Sequence, residues 1–91
     1  MDTEAFEKML GDEGYNAVSR QIEPNLAIDE HDHAWDTKGM VLRGSFTITS
    51  EISDRTYGPG EIFELAAGIP HTEGTGADGA DLLVGRRTVA D

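Results

Sequence analysis

From Tyr15 to Thr88 the chain consists of short stretches rich in Val, Ile, Thr, Phe and Tyr, interrupted by Gly, Pro, Asn and Asp. This is the grammar of strands and turns, and it restricts the chain to a β-rich fold. Strands are predicted near residues 15–23, 26–33, 39–43, 45–50, 54–57, 61–65, 69–73 and 81–88. Pro24-Asn25 separates the first two, and Ser53-Asp54 lets the SFTITSEISDRTY segment turn back on itself. Gly58-Pro59-Gly60 has proline and glycine where a type II turn wants them. The glycine-rich stretch 74–79 is expected to be an exposed, mobile loop. So many short strands within 91 residues predict an antiparallel sandwich or barrel.

Ahead of the strands, residues 1–12 predict a short helix. Asp2 or Thr3 serves as its cap, Glu4 and Glu7 suit its first turns, Phe6, Met9 and Leu10 share a face, and Gly11 is the expected stop. Its expected place is a lid over an open end of the core. No repeat, heptad or linker divides the chain, so residues 1–91 are read as one domain, with the helix at 1–12 and the barrel over 15–88.

Eighteen acidic residues against seven Lys and Arg give a formal charge of −11. Such an acidic protein repels polyanions, which argues against nucleic acid and anionic membranes as partners. The charge is read as serving solubility or adaptation to salt. The absence of cysteine excludes disulfide frameworks, thiolate zinc sites, iron–sulfur clusters and cysteine nucleophiles. No apolar run reaches the ~20 residues of a membrane-spanning helix. The acidic N-terminus MDTEAFEKML is unlike a targeting segment, and a cytoplasmic protein is expected.

With no cysteine, the three histidines are the strong transition-metal ligands: His31, His33 and His71. In an extended strand residues i and i+2 share a face, so the HDH of 31–33 presents two imidazoles to one side with Asp32 turned away. An isolated H-x-H is more often an ordinary pair of histidines than half of a metal site. His71 follows 38 residues later, in AAGIPHTE, after an apolar segment and a proline. Gly44 closes DTKGMVLRG, and YGPGEIFEL forms a turn and strand between them.

On these residues the chain resembles the cupin superfamily, whose two motifs are G-x5-H-x-H-x3or4-E-x6-G and G-x5-P-x-G-x2-H-x3-N. His31, His33 and Gly44 fall on the first motif, and Gly60, Gly68 and His71 on the second. The departures are specific. Asn25 stands for the opening glycine, Thr37 or Lys38 for the glutamate, Ala66 for the proline and Thr75 for the asparagine.

The resemblance implies an antiparallel double-stranded β-helix, the jelly-roll or cupin barrel, holding a divalent transition metal at His31, His33 and His71. With no glutamate at its usual place, a three-histidine site with open positions is the simplest expectation. Asp36, Thr37 and Glu73 are the candidates for a further ligand or for a group supporting one. Strand alternation turns Asp36 away from the histidines, whereas Glu73 shares the face of His71 if the strand continues. Nitrogen ligation suits iron or zinc first, with nickel, copper and manganese as alternatives.

Trp35 shares the parity of the histidines and is a candidate pocket wall. Phe46, Ile48, Phe63, Leu65, Leu82 and Val84 are read as barrel core. Arg43, Arg86 and Arg87 are candidates either for an anionic substrate or for salt bridges with the abundant acids. Parity also sets His31 opposite Leu26 and Ile28, which requires either covered faces on both sides or a bulge near Asp29. A partner covering the outer face would make a homodimer.

The function expected from this reading is a metal-dependent enzyme acting on a small molecule inside the barrel, of oxygenase, isomerase or lyase type. The alternative is a non-catalytic module that binds a small molecule or a metal.

Overall fold

Asp2 starts the only helix of the described residues, α1 (Thr3–Asp12), by accepting the Ala5 N–H at 2.7 Å. The structure is a computed structural model and describes residues 2–88. The helix runs through Gly11 and ends beyond it, where Gly14 takes a left-handed conformation (φ 85°). Phe6 and Leu10 are fully buried and pack with Tyr15, Met40 and Leu83. Met40 and Leu83 alternate with Val41, Leu82 and Val84, which belong to the other core cluster. Because successive strand residues point to opposite faces, the helix covers the outside of the sheet and not an open end.

Six antiparallel strands follow: β1 (Asn16–Ile22), β2 (Ala27–His31), β3 (Trp35–Ser50), β4 (Asp54–Tyr57), β5 (Ile62–Leu65) and β6 (His71–Thr88). The two long strands β3 and β6 pair along almost their whole length, from Trp35↔Thr88 to Ser50↔His71. One half of this ribbon is flanked by β1 on β6 and by β5 on β3. The other half is flanked by β2 on β6 and by β4 on β3. The register shifts on either side of Gly44, between Val41 and Arg43 and between Gly44 and Phe46. There the two backbones approach so closely that a Cβ on Gly44 (φ 80°) would collide with the Gly79 carbonyl oxygen.

Across this corner the inner faces of the two halves meet. Phe46 and Ile48 from one half share a cluster with Val41, Phe63, Leu82 and Val84 from the other, and the Phe46 and Phe63 rings lie 5.4 Å apart. The result is the jelly roll, with its cavity between the halves.

Several sequence expectations change here. The runs 39–43 and 45–50 are one strand, and 69–73 with 81–88 are also one strand that includes the expected loop 74–79. Glycine content alone suggested mobility, but these glycines meet neighbouring chain at close quarters: a Cβ on Gly74 would lie 3.3 Å from the Leu26 oxygen, and one on Gly79 2.5 Å from the Ile22 oxygen. The first strand of the HDH region also ends earlier than expected, at His31, because the chain then crosses to β3. The His33 carbonyl leaves the ladder and accepts the Gly68 N–H at 2.8 Å.

The turns behave as their residues dictate. Glu61 N–H returns to the Gly58 oxygen at 3.0 Å around Pro59 and the left-handed Gly60. Asn25, where the motif has glycine, sits at φ 55°. Thr75, where the motif has asparagine, accepts the Leu26 N–H at 3.0 Å and donates to the Glu23 oxygen, so it ties the β1–β2 turn to β6.

Candidate metal centre

A β-bulge solves the parity problem of β2. Ile28 pairs with Glu73 and His31 with His71, so three steps along β2 match two along β6, and one extra residue lies between. Ile28 and His31 consequently both face the cavity. A single chain satisfies both residues, with no second copy needed to cover the outer face of β2.

The histidines come from three different places. His31 ends β2, His33 lies in the crossover to β3, and His71 begins β6. Their ring centroids are 4.5 Å (His31–His71), 4.8 Å (His31–His33) and 5.3 Å (His33–His71) apart. His71 is 1% exposed, the one buried polar side chain among the described residues. Its Nδ1–H donates to the Ile69 carbonyl at 2.8 Å, and His31 Nδ1–H donates to the Asp29 carbonyl at the same distance. A carbonyl can only accept, so both hydrogen bonds fix the tautomer and leave each Nε2 free to offer its lone pair inward.

Glu73 is the acid that joins them. Its Oε2 lies 2.9 Å from His71 Nε2 and 3.2 Å from His31 Nε2. A carboxylate oxygen and two nitrogen lone pairs repel one another at such distances unless a cation, a proton or a metal, lies among them. With bonds of about 2.0–2.2 Å, ligands around one metal stand roughly 3 Å apart, so the donor set fits a metal ion. His31, His33, His71 and Glu73 together place four ligand atoms within 4.8 Å of one another. His33 has its pKa lowered below the ordinary 6.5, first by burial and then by the neighbouring His31, which favours the neutral imidazole that a metal requires.

The other candidates are placed differently. Asp36 points away from the group, as alternation requires: its carboxylate accepts the Ala67 N–H at 2.9 Å and pairs with Arg87 at 3.1 Å. Thr37 lines the cavity without joining the four. Trp35 lines it too and stacks on His33, with centroids 4.8 Å apart and planes 18° from parallel. Arg43 pairs with Asp81 and Arg87 with Asp36, whereas Arg86 stands over the Trp35 ring at 4.9 Å and faces the cavity. Arg20 also lines the cavity, a position that sequence reasoning missed. The available signal was its parity with Ile22 two residues on.

The cavity measures about 320 Å³. Phe46, Ile48, Phe63, Leu65, Leu82 and Val84 line it as well as building the core, so its body is apolar and its polar groups gather at the histidines and the two arginines.

No protein-family model and no curated protein sequence matches the chain. Solved structures do match by shape. A structural-genomics protein from Rhizobium leguminosarum bv. viciae 3841 superposes with a TM-score of 0.77 at 21% identity, over 82% of this chain and 71% of that one. A cupin-2 domain protein from Shewanella frigidimarina does so at 0.60 and 19% identity, over 80% and 69%. The polyketide cyclase RemF from Streptomyces resistomycificus does so at 0.66 and 25% identity, over 85% and 61%. The bent β3–β6 ribbon, its four flanking strands and these neighbours together establish that the chain has the cupin fold.

Proposed function

We propose that the protein is a metal-dependent enzyme acting on a small molecule held in the barrel, with His31, His33, His71 and Glu73 as the metal ligands. One observation carries this reading: the four donors converge on one point, His71 from within the core and His31, His33 and Glu73 on the wall of a cavity of about 320 Å³. A bound divalent metal there would supply Lewis acidity, polarising a substrate oxygen or lowering the pKa of a water. The chain's own residues do the rest. The Ile69 and Asp29 carbonyls orient two imidazoles, Glu73 adds the negative charge, and Trp35 braces His33. The apolar walls exclude water from the ligand's body.

Iron, zinc, manganese, nickel and copper all suit three nitrogens and one carboxylate, and a centre of this kind serves chemistry of oxygenase, isomerase or lyase type. Coordination number decides the second reading, a non-catalytic binding module. Four protein donors complete a tetrahedral zinc site, whereas a six-coordinate metal keeps two positions for substrate. A homodimer completes the proposal, and light scattering would then give twice 9.8 kDa.

The test is elemental analysis of protein purified without a histidine tag. One equivalent of metal, lost in His71→Ala and His31→Ala, supports the site. Metal-free protein with those variants unchanged in stability overturns it.

A further inference from the structure

Seven basic side chains serve a chain with eighteen acids, so a cation without a carboxylate partner is not expected by chance. Lys8 pairs with Asp12, Lys38 with Glu13 and Glu64, Arg43 with Asp81, Arg55 with Glu61, and Arg87 with Asp36. Among the described residues Arg20 and Arg86 make no ion pair. They are also the two basic residues that line the cavity.

Their placement follows from strand register. Arg20 pairs with Leu82 and Arg86 with Asn16, on adjacent strands β1 and β6. Arg20, Leu82, Val84 and Arg86 therefore share the inner face, with two apolar residues between the arginines. Both arginines are exposed at the cavity's polar border, and Arg86 is held there by the layered stack Arg86–Trp35–His33. A guanidinium fixed by stacking keeps its N–H fork available for a planar oxyanion.

We infer that the substrate is a small organic acid whose anionic group, a carboxylate or an equivalent oxyanion, is bound by Arg20 and Arg86 while its apolar body lies against Leu82 and Val84. The inference rests on the reading of this cavity as the substrate site and names the substrate's chemical class. A net charge of −11 would otherwise repel such an acid, so the two unpaired arginines make the cavity mouth the local exception to the protein's field.

Trp35 is the single tryptophan and touches both His33 and Arg86, so its fluorescence reports on this part of the cavity. The experiment titrates the purified protein, as isolated and after metal loading, with hexanoate, hexanesulfonate and hexanamide. The sulfonate is a poor metal ligand but a good arginine partner, which separates guanidinium binding from direct ligation of a metal. The expected result is that both anions bind and the amide binds at least tenfold more weakly. Arg20→Gln and Arg86→Gln should each weaken both anions about five- to tenfold, with unchanged melting temperature and metal content. Arg55→Gln, on a pair outside the cavity, should change nothing.

Equal binding of anions and amide, wild-type affinity in both cavity variants, or no binding of any probe at millimolar concentration overturns the inference. Failure of the metal reading shows separately, as absent metal in the elemental analysis, while anion preference is read on the protein as isolated.

Discussion

Glu73 Oε2 lies 2.9 Å from His71 Nε2, two residues along the same strand, and the same oxygen reaches His31 Nε2 across the β2–β6 pairing at 3.2 Å. The carboxylate of this site thus arrives from β6, after the third histidine, and not from the segment following His33. Glu73→Gln keeps the shape and removes the charge. It is expected to weaken metal affinity on the order of a hundredfold in chelator competition, whereas Asp36→Asn leaves affinity unchanged.

Metal binding joins the ends of β2 and β6 to the crossover before β3, and those ligands are not held together in the unfolded chain. At a free metal concentration a hundred times the Kd, the folded state gains about 2.7 kcal/mol. Stripping the metal with EDTA should lower the melting temperature, and adding it back should restore it. His71→Ala should show no shift in either direction.

Asp36 gives a pH dependence of its own. The Ala67 N–H and then the Arg87 guanidinium hold its carboxyl below the ordinary value of 3.8. A folded pKa below the unfolded one means that the stabilisation is fully present above 3.8 and is lost as the pH falls through the folded value. Asp36→Asn should therefore be less stable than the parent protein at neutral pH, with the difference closing under acid. Melting curves of the two proteins across that range measure it.

The ribbon corner tolerates no side chain. Gly44→Ala sets a Cβ against the Gly79 carbonyl at a left-handed φ, and is expected to destabilise the fold by about 2–4 kcal/mol in urea titration.

Leu10 is fully buried beneath α1 on the outer face of the sheet, away from the histidines. Leu10→Ala should cost about 2–5 kcal/mol by leaving a void. Bound metal per folded chain should stay the same, because the ligands lie on the opposite face.

Turn chemistry and strand content were legible in the sequence because they are local. Pro59-Gly60, Asn25 and the alternation around Phe46 and Ile48 act through the backbone of their own few residues, and the structure keeps them as read. The segment 74–79 was not legible. Its glycines look like flexibility until the Leu26 and Ile22 carbonyls are seen against them, and those neighbours lie some fifty residues away in sequence.

Composition and residue pattern alone supply the inventory: three histidines as the strong metal ligands, a β-rich chain, and an excess of acids. Which acid joins the histidines and which cations stay unpaired depends on how the strands pair. The bulge between Ile28 and His31 turns His31 inward, and the β6 register sets Glu73 beside it. The same strand carries Arg86 to the cavity while Arg87, its neighbour, is taken by Asp36 on the other face. Charge and ligand identity are properties of residues, but proximity is set by strand register and bulges, which couple positions far apart along the chain.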